Sequence, residues 1–427
     1  MPGKGQAGNV QFEWKLANPY MLRQAGPGDA FLDLRITGKS LSGGDRKPMN
    51  LVLVIDRSGS MADENKLEQV KVAAVAILNQ MNSRDRLGIV IYDDVVSTIL
   101  PSSPVENTQA IREVLYSLSP GGSTNLAGGL QQGFEEVRKN FQPELVNRVI
   151  LLSDGLANVG IIDPEQIAAL ARSIRERSIS VSTMGVGIDY NETLMANVAD
   201  HSGGNYYYIS KEVNMADVFR REWNLMQSLI ANNAVASLDL ASGVEVQDVA
   251  GFQWNVQNGK LRIQVPDIYS GETKRVLVHL RAPANVKTVV SLGKGEFTYT
   301  DITSDKPQTI AQSFLPSIQV IEDRNTVAAN YDRDVQSKVA AVEASKKMEE
   351  AYRRLESGDE KGAYDVAQEA NSELKALGYT QNDVQVSRYD EFVNALSAPA
   401  SVEPGAKKDM LKKQKAADRN ARQSTPQ

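Results

Sequence analysis

Cysteine is absent from the 427 residues, so the chain can form neither disulfides nor thiolate metal sites. That fits a cytoplasmic protein and leaves a periplasmic or extracellular one open. Histidine is scarce as well. Neither His201 nor His279 stands in a nucleophile-elbow setting, and Ser58 lacks a Gly-x-Ser-x-Gly context, so a Ser-His-Asp hydrolase finds no support. No run approaches the roughly 18 apolar residues of a membrane-spanning helix. The start, Met1-Pro-Gly-Lys-Gly-Gln, has no apolar signal region. An excess of positive charge is also missing: 47 Lys and Arg against 53 Asp and Glu leave a net charge of −6, which argues against general nucleic-acid affinity.

What is present suffices for two or three globular domains, since 41% of the residues are hydrophobic. Residues 51–55, Leu-Val-Leu-Val-Ile, are too short for a lone helix and lack polar alternation. They read as a central strand covered on both faces. A helix follows, with Asp63 or Asn65 as its cap and Leu67, Val70, Ala74, Ile77 and Met81 at helical spacing. Strands at 86–92, 95–100, 148–154, 179–186 and 205–209 then alternate with helices at 108–118, 126–139, from Pro164, 191–199 and 213–230. This βα alternation over residues 48–230 predicts a mostly parallel, doubly wound sheet with helices on both sides. Two strands at 10–16 and 30–37 precede it, within residues 9–47, and a linker at 39–48 joins them to it. Short alternating strands follow within 231–321, as in a β-sandwich. The α/β unit is therefore expected to be inserted into a sandwich built from both flanks. Two apolar stripes, one ending near Leu355 and one from Val366 to Leu377, predict a helical hairpin over 322–396. Residues 397–427, rich in Lys, Ala and Gln, read as a disordered basic tail.

The chemistry collects at strand ends. Asp56, Ser58 and Ser60 alternate in the turn leaving one strand, Thr124 follows the Gly121-Gly122 pair in another loop, and Asp154 ends a third strand. Carboxyl ends of neighbouring central strands share a crevice in such a sheet, so these five oxygens can converge. Two acids and three hydroxyls suit a small hard cation such as Mg²⁺ better than Ca²⁺, which prefers more ligands. Sparing use of acid also keeps the ion electron-poor, and an acidic group of a partner would then complete its shell. A capped helix start is the bland alternative for Asp-x-Ser-x-Ser alone. Asp93 and Asp94 read as a solvated turn, Gly121-Gly122 as a mobile loop with no Gly-Lys-Ser/Thr after it, and Tyr206, Tyr207 and Tyr208 as strand packing.

Asp56-Arg-Ser58-Gly-Ser60, Gly121-Gly-Ser-Thr124-Asn and Leu151-Leu-Ser-Asp154-Gly match, residue for residue, the metal-ion-dependent adhesion site of von Willebrand factor A domains. The order of strands and helices resembles that family too. The resemblance implies a Rossmann-like domain that binds Mg²⁺, with Mn²⁺ or Ca²⁺ as alternatives, through Asp56, Ser58, Ser60, Thr124 and Asp154. It also implies a protein partner offering an Asp or Glu carboxylate, and no catalysis. An A-type domain beside a sandwich is similar to bacterial relatives of inter-alpha-trypsin inhibitor heavy chains and of calcium-activated chloride channel homologues. Two other functions compete: a scaffold with a structural metal, and a Mg²⁺-dependent phosphoryl-transfer hydrolase. The latter would want a second acid near Asp56 and a cation to steady the phosphoryl group. The sequence leaves the oligomeric state open.

Overall fold

The computed structural model describes residues 3–40, 46–286, 288–304, 306–312, 315–380, 382–397 and 404–423. Residues 41–45 of the expected linker and 398–403 and 424–427 of the expected tail lie outside them. The α/β unit holds a six-stranded sheet in the order Tyr206–Ile209, Ser180–Val186, Val146–Ser153, Met49–Asp56, Arg86–Tyr92, Val96–Pro104. Every neighbouring pair is parallel except the last, a hairpin. Side chains along Met49–Asp56 alternate between two cores, because successive residues of a strand point to opposite faces. Leu51, Leu53 and Ile55 pack with Leu67, Val70 and Phe219 on one side. Val52 and Val54 pack with Leu126, Leu130 and Ile167 on the other. Both faces being covered explains why this strand is an unbroken apolar run.

The flanking strands belong together. Gly3–Ala7, Val10–Leu16 and Gly28–Gly38, from before the α/β unit, join Thr273–Ala282 and Glu245–Val249, from after it, in one five-stranded sheet. A second sheet runs Gln253–Gln257, Lys260–Val265, Leu229–Leu240, Gly293–Asp301, Lys306–Gln312, with Ile268–Tyr269 at its side. The two share one core, in which Phe12 stacks on Phe297 at 4.9 Å between ring centroids. Tyr20–Leu22, Val289–Ser291 and Ser317–Ile321 form a small third sheet. Lys306–Gln312 carries no alternating apolar pattern in the sequence, and Gln253–Gln257 alternates but leaves Trp254 and Val256 exposed. They lie at sheet edges, where one hydrogen-bonded neighbour holds a polar strand in place.

Two expectations at the C-terminal end are corrected. The hairpin of Arg333–Glu356 and Glu360–Ala376 gains a third helix, Val384–Ser397, whose Val386, Tyr389 and Phe392 complete a core with Met348, Tyr352 and Leu374. The stretch expected to be disordered is, over Pro404–Gln423, a docked helix. Its apolar content is small, which is why the sequence alone suggested disorder. Its basic side chains instead meet acids on the α/β unit and the helices: Lys408 with Asp189 at 2.9 Å, Lys413 with Glu212 at 2.5 Å, Lys415 with Glu356 at 2.5 Å and Arg419 with Asp200. Asp418 faces inward and accepts a hydrogen bond from Tyr352 Oη at 2.7 Å.

Candidate metal centre

Met49–Asp56 and Val146–Ser153 run side by side in parallel register, with Ile55 opposite Leu152, so Asp56 and Asp154 emerge next to each other at the carboxyl edge. Asp56 is wholly buried. Its Oδ1 accepts from the Ser58 backbone N–H at 2.9 Å and its Oδ2 from Ser153 Oγ at 2.8 Å. The turn then brings Ser58 Oγ and Ser60 Oγ to 3.2 Å from each other, and Ser60 Oγ donates to Asp154 Oδ1 at 2.7 Å. Thr124 arrives from another loop. Its backbone is clasped by Asn158, whose Oδ1 accepts from Thr124 N at 2.8 Å and whose N–H donates to Thr124 O at 3.1 Å. A Cβ built on Gly155 would lie 3.3 Å from Thr124 Oγ1 and 3.6 Å from Ser60 Oγ, so the two hydroxyls flank one small space beside Asp154. The structure thus brings Asp56, Ser58, Ser60, Thr124 and Asp154 into one crevice.

These oxygens fit a small hard ion. Neighbouring ligands of an octahedron with metal–oxygen bonds of about 2.1 Å are about 3 Å apart, close to the observed 2.7 and 3.2 Å separations. Burial pushes the Asp56 carboxyl up to about 6, with repulsion from Asp154 adding to it, against the hydrogen bonds from Ser58 and Ser153. A cation in the crevice would relieve that cost. Among the described residues no group of three or more His, Cys, Asp or Glu is placed to hold a metal ion.

The surrounding loops are tied down rather than mobile. Gly121 N donates to Arg57 O at 2.7 Å and Gly59 N to Gly122 O at 3.1 Å, locking the Thr124 loop to the Asp56 turn. Gly122 has φ +67° and approaches so closely that a Cβ there would sit 2.0 Å from Asp94 Oδ1. Asp93, expected in a solvated turn, is buried: its Oδ2 pairs with Arg57 Nη2 at 2.6 Å and its Oδ1 accepts from Val95 N at 2.7 Å. Asp94 is exposed, as expected. The tyrosines pack within the strand, yet Tyr207 Oη also donates to Glu222 at 2.7 Å and Tyr208 Oη to Asp409 of the C-terminal helix. His201 lies in the helix Glu192–Ser202, and His279, on the sandwich, pairs with Asp29 at 2.9 Å.

Sequence reading missed one residue that touches the site. Lys66 is buried, and its Nζ lies 2.7 Å from Asp154 Oδ2. It opens the helix Lys66–Leu78, where neither Asp63 nor Asn65 caps with its side chain. A cation at the first residue of a helix opposes the helix dipole, and that misplacement was the signal available.

The sequence profile of the von Willebrand factor type A domain matches residues 50–221. This part of the chain is a von Willebrand factor type A (VWA) domain. VWA domains typically mediate protein–protein interaction, often through a divalent metal, and are generally not enzymes. Among curated relatives, uncharacterized protein YfbK of Escherichia coli is 32% identical over 209 residues, which is 49% of this chain and 36% of that protein. Uncharacterized protein sll0103 of Synechocystis is 26% identical over 349 residues, 79% of this chain and 81% of that protein. Human inter-alpha-trypsin inhibitor heavy chain H3 is 34% identical over 166 residues, 37% of this chain and 18% of that one. The chain therefore spans about a third of the E. coli relative and under a fifth of the human one. A von Willebrand factor type A structure from Catenulispora acidiphila superposes with a TM-score of 0.71 at 15% identity, covering 99% of this chain and 100% of that one. VWA2, an ArnB paralog from Sulfolobus acidocaldarius, gives 0.64 at 20% identity, covering 96% and 99%. The likeness of fold extends well beyond the VWA domain, over nearly the whole chain.

Proposed function

We propose that this protein is a metal-dependent interaction module that captures an acidic residue of a protein partner. Asp56, Ser58, Ser60, Thr124 and Asp154 would hold Mg²⁺, with Mn²⁺ or Ca²⁺ as alternatives. The bound ion supplies an electron-poor coordination position for a carboxylate oxygen. The observation that carries this reading is the Ser60 hydroxyl, which links Asp154 to Ser58 beside a buried Asp56 that, among the described residues, has no cationic partner. Three side chains on the loop after Asp154 support a protein rather than a small anion as the partner. Leu156, Ile161 and Ile162 stand 58%, 43% and 56% exposed, more apolar surface than a solvated loop needs.

An Asp-containing peptide titrated into the protein should bind in Mg²⁺ and lose that binding in EDTA, and Asp56→Ala should abolish it in Mg²⁺. Peptide affinity indifferent to chelation would sink the reading. Steady turnover of a generic phosphate ester, lost in Asp56→Ala, would replace it with phosphoryl transfer.

A further inference from the structure

We propose that Lys66 is a built-in counter-cation that makes metal and acidic ligand depend on each other at this site. The inference rests on the metal reading above and deepens it. The Lys66 ammonium is buried 2.7 Å from the outer oxygen of Asp154, while the inner oxygen takes the Ser60 hydroxyl. The chain goes to some length to place it there. Glu64 and Asn65, the two residues before it, both adopt left-handed backbone angles, φ 55° and 57°. Side chains other than glycine rarely take that conformation, and strain of this kind gathers at functional sites. The ammonium then passes beneath Gly187, where a Cβ would lie 3.3 Å from Lys66 Cε. It is desolvated and sits at the unfavourable end of a helix, so Asp154 is what holds it in place.

The consequence follows from charge. Asp56 and Asp154 alone would balance the charge of a divalent ion, giving a neutral crevice with little demand for another anion. With Lys66 present, the same ion leaves one net positive charge in a buried space, where Coulomb interactions are weakly screened. Metal alone is therefore disfavoured, and an external carboxylate restores neutrality. The lysine lowers affinity for the free ion and raises the dependence on a ligand, which is positive coupling between the two.

Mn²⁺ binding, read by electron paramagnetic resonance of the free ion with and without acetate, tests this. Wild type should bind Mn²⁺ weakly and more tightly with acetate. Lys66→Met should bind Mn²⁺ alone at least about tenfold more tightly, with the acetate effect reduced or gone, whereas Lys66→Arg, which keeps the charge, should behave as wild type. Lys66→Gln carries the same expectation as Lys66→Met and keeps a donor for Asp154 should the methionine variant fail to melt cooperatively. Mn²⁺ affinity in folded Lys66→Met or Lys66→Gln equal to or below wild type overturns the proposal while leaving the metal reading intact. Mn²⁺ binding that is absent from wild type, or unchanged by Asp56→Ala, overturns both.

Discussion

At the scale of single residues, the site separates binding from stability. Among the described residues Asp56 has no cationic partner, so its buried charge is held at a cost in the metal-free protein. Asp56→Asn keeps an acceptor for the Ser58 N–H, can donate to Ser153 Oγ, and removes that charge. In EDTA at pH 7.5 it should be at least as stable as wild type, by about 1–2 kcal/mol in urea melts, yet show no rise in Tm on adding Mg²⁺. Gly155→Ala tests the crevice from the other side. The new methyl would press on Thr124 Oγ1 at 3.3 Å, so the fold should persist while the Mg²⁺-induced shift in Tm shrinks or vanishes. An undiminished shift would show that the Thr124 hydroxyl is not a ligand.

At the scale of elements, the helix Pro404–Gln423 is the least expected feature. Lys412 carries much of its docking cost. Its Nζ donates to Tyr190 O at 3.0 Å and lies 3.9 Å from the Tyr190 ring centroid, and burial lowers its pKa from 10.5 to about 8 despite the nearby Glu192. Because the undocked lysine holds its proton up to pH 10.5, the released state binds more protons between pH 8 and 10.5. Docking therefore strengthens as pH rises through that window and bears its full penalty below pH 8. Lys412→Met removes the titration, so its Tm should exceed that of wild type at pH 7.5 by roughly 2–4 °C, with the gap narrowing by pH 9.5. A gap independent of pH would assign the gain to packing. The exposed ion pairs of the same helix, Lys408–Asp189 and Lys413–Glu212, should make its amide exchange faster at 1 M salt.

At the scale of the whole molecule, the VWA domain and the sandwich are joined by a buried ionic hub at the strand beginnings, the end of the sheet opposite the candidate metal centre. Arg148 Nη2 pairs with Asp267 of the sandwich at 2.7 Å, and Asp267 also accepts from Ser180 Oγ at 3.0 Å. Glu222, on the helix Met215–Gln227, accepts from Ser182 at 2.6 Å and from Asn205 at 2.9 Å beside them. That helix passes almost directly into the sandwich strand Leu229–Leu240, a covalent joint beside the ionic one. Asp267→Ala would leave the buried Arg148 with Glu222, 3.8 Å away, as its remaining acid and should cost about 3 kcal/mol in denaturant unfolding, the low end for a broken buried pair. The double variant Arg148→Met/Asp267→Leu should recover part of it, since Glu222 loses its cation but keeps its hydrogen bonds from Ser182 and Asn205. Equal losses in the single and double variants would mean that the pair is not coupled.

The sequence by itself determined the order of strands and helices in the α/β unit, the apolar central strand and the five oxygen-bearing side chains proposed as ligands, because each is written in local spacing. Period-two and period-3.6 patterns say which faces are apolar, and Asp-x-Ser-x-Ser after a strand says where oxygens gather. Only the tertiary structure decided which distant groups meet. Lys66 reaches Asp154 across 88 residues, Asp93 becomes a buried anchor for Arg57, and a basic tail becomes a helix against acids from three other segments. No periodicity marks such pairs. A charged side chain looks the same in sequence whether it faces water or a partner, and topology alone supplies the partner.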